Sequence, residues 1–269
     1  MKLAITSIQR NRGKWIVEWL AFHMLVGFEY FYLYAHKTDD GMTEILVKLG
    51  RRYHIKVHLL DDQPQPQLLA YQHAYAAYGD TVDWMAFIDG DEFLHASDGG
   101  QMGQALSGFD AQPLSALAIN WRCYGSNGHV ADPDALVVQA YPRHSRADFL
   151  PNRHVKSVVR AKQTVKVQTA HVFHTDLGTF DTLGRPVTSG WMRDNPPSFD
   201  TLRINHYAVQ SFDFFRRTKQ HMGAADGNPL LIRPEAWFHE YDRNEDDDGQ
   251  SYQFLVRLKL KTQELLATL

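Results

Sequence analysis

The sequence predicts an α/β fold: an open, mostly parallel sheet flanked by helices, followed by a looser C-terminal part. Three observations predict it. Strand-like and helix-like segments alternate through the first half of the chain. The run Trp84-Met85-Ala86-Phe87-Ile88 is apolar throughout, as a central strand covered on both faces has to be. No internal repeat or low-complexity tract interrupts the alternation.

Residues 3–8 read as a short buried strand. Trp15, Trp19, Phe22 and Val26 then recur at three- and four-residue spacing, marking one face of a helix that Gly27 ends. Residues 30–34 form an aromatic strand closed by the polar turn 37–41, and residues 42–49 form a helix that stops before Gly50. Residues 55–60 alternate as a strand, Pro64 and Pro66 mark a loop, and residues 68–78 are rich in helix formers. Strands are also predicted at 84–88, 114–121 and 155–159, with helices at 211–222 and 252–266 and a loop over the acidic run 245–248. In such a sheet, ligands sit beyond the carboxyl ends of the strands, so the chemistry is expected there.

At 269 residues the chain is long enough for one large catalytic domain. The 28 basic and 31 acidic residues leave a net charge of −3, without the basic excess that phosphate-backbone binding needs, so nucleic acid is not expected as a partner. A single cysteine, Cys123, permits no intrachain disulfide. The most apolar stretch, 15–34, is broken by Glu18, His23, Gly27 and Glu29, and no transmembrane segment is expected. The first residues lack the long apolar run of a secretory signal. A cytoplasmic protein is the expectation, with peripheral membrane association left open.

Chemistry concentrates at Asp89-Gly90-Asp91-Glu92, directly after the apolar strand. In an extended segment residues i and i+2 point to one side, so Asp89 and Asp91 are expected to converge on a hard divalent cation. Magnesium or manganese there would bridge to a diphosphate. An acidic turn in solvent is the plain alternative, but here the turn is pinned between the buried run before it and Phe93-Leu94 after it.

These blocks resemble GT-A-type glycosyltransferases, specifically the glycosyltransferase family 2-like and family 92 group. The resemblance runs through Glu18-Trp19-Leu20-Ala21-Phe22-His23, Gly27-Phe28-Glu29-Tyr30-Phe31-Tyr32-Leu33-Tyr34, Thr38-Asp39-Asp40-Gly41 and the acidic block itself. It continues through residues 121–129, Ile204-Asn205-His206-Tyr207 and Asp242-Arg243-Asn244-Glu245, and so covers most of the chain. The chain departs from the group after the first strand, where Gln9-Arg10-Asn11-Arg12 replaces the usual Lys-Asn-Glu turn.

The resemblance implies an inverting, metal-dependent transfer of a sugar from a nucleoside diphosphate, with a UDP-sugar favoured, to a glycan or glycoconjugate acceptor. It implies one glycosyltransferase domain over 1–269, with 1–124 binding the nucleotide-sugar and 125–269 the acceptor. His206 joins Asp89 and Asp91 as a candidate metal ligand, against a structural role in a strand. Asp39 and Asp40 are candidates for the ribose or base, although Asp-Asp-Gly is also a good turn. Arg10 and Lys156 are candidates for the diphosphate, with Lys156 read first as a solvated strand residue. Candidates for the base that deprotonates the acceptor are Asp176, Asp242, Glu245 and Asp248, with Glu245 preferred. Trp121, Tyr124 and Trp191 are candidates for stacking on sugar rings. His171 and His174, spaced to opposite faces of a strand, are not expected to share an ion. The competing readings are a metal-dependent hydrolase or nucleotidyltransferase on the same carboxylates, and a non-catalytic nucleotide-sugar-binding protein.

Overall fold

A computed structural model describes residues 1–60, 64–163, 165–223, 228, 230–247 and 251–269. The first half alternates as expected: β1 (Leu3–Gln9), α1 (Ile16–Leu25), β2 (Tyr30–His36), α2 (Met42–Leu49), β3 (His54–Leu60), α3 (Pro66–Tyr78) and β4 (Trp84–Phe87). Next come β5 (Glu92–Ala96), α4 (Met102–Ser107), β6 (Ala116–Cys123), α5 (Val137–Ala140), β7 (Arg143–His144) and β8 (Val155–Arg160). The rest of the chain forms β9 (Val165–Val167), β10 (Phe173–Thr175), β11 (Thr179–Phe180), β12 (Leu202–His206), α6 (Phe212–Arg217), α7 (Glu235–Tyr241), β13 (Asp246–Asp247) and α8 (Tyr252–Leu266).

The main sheet runs β3-β2-β1-β4-β8-β6-β12-β5, with β11 beside the start of β6. Strands β1 to β4 pair in parallel, and β6 and β12 pair in parallel with each other. Only β8 and β5 run against the rest of that path. The sheet is thus mostly parallel, as expected, and strands from both sides of residue 124 interleave in it. One core lies between the sheet and α1, α2 and α8, and a second lies under α3, around Tyr71, Met85, Phe87 and Phe173. This is why β4 is apolar at every position.

The parallel strands carry their carboxyl ends to one rim, which collects the ends of β1, β2, β4, β6 and β12. Because β5 and β8 run the other way, they bring their first residues, Glu92 and Val155, to the same rim. As the edge strand, β5 exposes a row of backbone groups that need partners. Helix α1 supplies two of them: Trp19 Nε1 donates to the Glu92 carbonyl at 2.8 Å, and His23 Nε2 accepts the Leu94 N–H at 3.2 Å. Burial pushes the His23 imidazole down to about 3, so it stays neutral and keeps that lone pair. The face predicted from Trp15, Trp19, Phe22 and Val26 therefore also fixes the strand that follows the acidic block.

Two expected elements differ. The predicted helix over 211–222 is α6 followed by a separate 3-10 turn, Lys219–His221. Ser211 caps α6 by accepting the Phe214 N–H at 3.0 Å, and Thr218 leaves helical geometry, which turns Lys219 toward the rim. Within the acidic run, Asp246 and Asp247 are not loop residues. They pair antiparallel with His144 and Arg143. Among the described residues, no helix is long and apolar enough to cross a membrane.

Candidate active site

The acidic block is a turn rather than an extended strand. The Asp89 carbonyl accepts the Glu92 N–H at 3.2 Å, and the Asp89 N–H donates to Glu92 Oε2 at 2.8 Å. This corrects the expected i, i+2 alternation: Asp89 turns toward α3 and β8, and Asp91 toward β12. Gln9 packs close to the glycine between them, since a Cβ on Gly90 would sit 2.7 Å from Gln9 Oε1 and the glutamine side chain would have to move. The Gly90 carbonyl is held by Arg12 at 2.8 Å, and that buried guanidinium lies against the rings of Trp15 and Phe214.

Of the three acidic side chains, two face the rim. Glu92 is fully buried, and burial pushes its carboxyl up to about 8, with Asp89 and Asp91 adding to the rise against Lys156. It braces the turn from inside, where burial favours its protonated form. Asp89 is about one-third exposed. One of its oxygens accepts from Gln67 at 2.7 Å and Tyr71 at 3.4 Å, and the other pairs with Lys156 at 2.9 Å.

Lys156 is 1% exposed, which corrects its reading as a solvated strand residue. Burial alone would lower its pKa, but Asp89, Glu92 and Tyr71 outweigh it and hold the ammonium charged.

Asp91 is held on the other side. Its carbonyl accepts the Tyr207 N–H at 2.9 Å, Oδ1 lies 3.8 Å from His206 Nε2, and Oδ2 pairs with Lys219 at 2.5 Å. Burial would raise this carboxyl, yet Lys219, His206 and Arg12 outweigh it and keep it well below the usual range. Burial pushes His206 down to about 3 against the pull of Asp91, leaving a neutral imidazole with an unshared pair. Its Nδ1 is buried without a hydrogen-bond partner.

The other candidates divide by position. Arg10 is half-buried at the end of β1. Asp39 is exposed in the turn after β2, and its N–H donates to Asn11 Oδ1 at 3.0 Å. Asp40 serves the turn itself, accepting from Gly13 N–H at 2.6 Å, Thr38 Oγ1 at 3.0 Å and Met42 N–H at 3.2 Å. Asp242 accepts the Ser126 N–H at 2.6 Å, and Glu245 is exposed beside Arg243. Both belong to a segment packed against the loop after β6, where a Cβ on Gly125 would meet the Arg243 carbonyl at 2.4 Å.

Asp176 stands at the opposite end of the sheet. The Leu177 N–H after it donates to Ser115, at the amino end of β6, so β6 separates Asp176 from Asp91 by its own length of roughly 23 Å. Asp248 lies outside the described residues.

Trp121 packs 4.1 Å from His206 and stacks on His154, which in turn touches Trp191. Tyr124 is buried in the core against Tyr207 and His144, so it offers no face to a sugar. His171 lies beside Trp121 while His174 is exposed on β10, so the two do not meet.

Three residues of the rim were not singled out from the sequence: Lys219, Arg12 and Gln67. Arg12 had a signal in the same four-residue turn as Arg10. Lys219 had none, because it falls inside an expected helix.

The whole rim lies within a recognisable block of sequence. The chain matches glycosyltransferase family 92 over residues 4–228. It belongs to that family. Relatives include family 92 proteins of Oryza sativa subsp. japonica, 24% identical over 87% of this chain and 41% of that protein, and of Arabidopsis thaliana, 24% identical over 88% and 43%. A Ricinus communis family 92 protein is 24% identical over 88% of this chain and 44% of its own length. The chain thus spans less than half the length of these curated relatives. Among solved structures, S. aureus TarS 1-349 in complex with UDP is 18% identical over 60% of this chain and 47% of that chain, with a TM-score of 0.37. The same protein with UDP-GlcNAc gives 17%, 60%, 45% and 0.36.

Proposed function

We propose that this family 92 chain is a metal-dependent glycosyltransferase. It moves a sugar from a nucleoside diphosphate, a UDP-sugar first, to a hydroxyl of a glycan or glycoconjugate, with inversion. One observation carries the reading: Asp91 and the neutral His206 face each other at the carboxyl rim of a mostly parallel sheet, beside Asp89.

The donor set suits manganese or magnesium. Neighbouring ligands of one octahedral ion, each at about 2.1 Å, stand about 3 Å apart, so Asp91 Oδ1 and His206 Nε2, now 3.8 Å apart, would close by less than about 1 Å around it. Among the described residues, no three of His, Cys, Asp and Glu are already gathered around one point, so Asp89 completes the set only by turning from Lys156. When bound, the ion would neutralise charge on the departing diphosphate. The protein's part is to hold the turn through Gly90 and Arg12, to keep His206 unprotonated and to place the donor against the rim.

The measurement is the melting temperature with UDP, GDP and CDP in manganese, in magnesium and in EDTA. One nucleotide is expected to raise it only with metal, by about 2.7 kcal/mol of stabilisation at one hundred times its dissociation constant. The same rise in EDTA would remove the metal from the proposal, and no rise with any nucleotide would remove the donor site.

For the acceptor base we propose Glu245, exposed on the segment that packs over the loop after β6. Glu245→Gln is expected to lower turnover by about 10²- to 10⁴-fold while the nucleotide-induced rise in melting temperature persists. Unchanged turnover would assign the proton transfer elsewhere.

A further inference from the structure

Lys156 and Lys219 each answer one carboxylate of the acidic turn, but they are built differently. Lys156 is sealed: it is 1% exposed, bonded to Asp89 and the Ala170 carbonyl, and 4.0 Å from Glu92. Lys219 approaches Asp91 from the rim, with its side chain 14% exposed. Its backbone is clamped, because Arg233 donates to the carbonyls of Lys219 at 3.0 Å and Gly223 at 3.1 Å, and Gln220 donates to the Arg233 carbonyl at 3.1 Å. The clamp fixes the turn, and the charge is carried on a four-carbon stem with several rotatable bonds.

That charge sits on Asp91 Oδ2, while His206 Nε2 lies 3.8 Å from Oδ1. A divalent cation drawn to Asp91 and His206 would repel an ammonium so close to it. The nearest compensating anion would then be the diphosphate carried by that cation.

We propose that Lys219 is a donor-binding residue: in the free protein its ammonium stands in for the cation on Asp91, and on donor binding it transfers to the terminal phosphate of the nucleoside diphosphate. This inference rests on the reading of the rim as a nucleotide-sugar site. It adds a second cationic contact to the phosphate that becomes the leaving group. The exchange also makes metal binding without nucleotide weaker than the ligands alone would allow, since the lysine competes for Asp91.

The test uses calorimetric titration of the full chain with whichever of UDP, GDP or CDP binds in manganese, with the matching monophosphate, and with manganese alone. Lys219→Met is expected to weaken the diphosphate by about ten- to hundredfold, the worth of one charge-assisted hydrogen bond. The preference for diphosphate over monophosphate should fall by a similar factor, and manganese alone should bind no more weakly than to the wild type. Lys219→Arg should restore most of the diphosphate affinity. Lys219→Gln repeats the comparison should the methionine variant fail to fold.

Diphosphate affinity within twofold of wild type would overturn the proposal. So would manganese affinity falling as far as nucleotide affinity, because Lys219 would then only be holding Asp91 in place. If the wild type itself binds no nucleoside diphosphate in manganese, the donor-site reading falls and this inference with it.

Discussion

Asp91→Asn is expected to lower glycosyl transfer by about three orders of magnitude and to leave the protein folded. The size follows from what the carboxylate offers. A cation at a reacting diphosphate is worth several kcal/mol of charge stabilisation, and about 4 kcal/mol is a factor of roughly 10³ in rate. Asparagine keeps the shape and one acceptor oxygen but loses the charge that would draw the ion and that now holds Lys219.

The fold should survive because the structural bond at this residue belongs to its backbone, where the Asp91 carbonyl accepts the Tyr207 N–H. Lys219 loses a partner, yet its side chain has access to solvent. Charged groups gathered for function commonly cost stability, so a melting temperature unchanged or slightly raised is consistent with the assignment. Initial rates over a range of manganese concentrations check it. Wild-type turnover at every metal concentration would mean that Asp91 is a structural carboxylate and that the site lies elsewhere.

Much of the fold was legible because β1, β2 and β4 are buried on both faces and so read as largely apolar runs, while the helices between them carry apolar residues at helical spacing. The spacing of Trp15, Trp19, Phe22 and Val26 and the unbroken run before Asp89 are direct consequences of a sheet covered on both sides. The acidic block was legible for the same reason, since carboxylates abutting a buried strand stand out.

What was not legible depends on contacts distant in sequence. Lys156 was read first as solvated, whereas β8 lies inside the sheet between β4 and β6 and is buried on both faces. Nothing local says that a carboxylate 67 positions earlier offsets the charge. Lys219 was hidden by its helical neighbourhood, because the break after α6 takes its meaning from Asp91, 128 positions away. Asp40 and Asp242, candidates for the ribose and for the acceptor base, accept from backbone N–H groups of neighbouring turns, contacts that no side-chain pattern records.

Lys156→Met should have the largest effect on stability of any single change at the rim. The ammonium answers Asp89 at 2.9 Å, lies 4.0 Å from Glu92 and is sealed from water. Removing one partner of a buried ion pair typically costs about 3–5 kcal/mol, because the remaining charge is left uncompensated in a poorly solvated place. Two features here reduce that figure. Asp89 is about one-third exposed and can be partly solvated, and burial favours the protonated form of Glu92, so less negative charge is orphaned. A loss of about 3 kcal/mol is expected, which for a domain of this size lowers the melting temperature by roughly 6–10 °C.

The double variant Lys156→Met/Asp89→Asn tests the cause rather than the size. If charge pairing is what stabilises, removing Asp89 as well should recover part of the loss, and the two effects will fall well short of adding. Additive losses would show instead that methionine fails to fill the space between β8 and α3, making Lys156 a packing residue that happens to be charged.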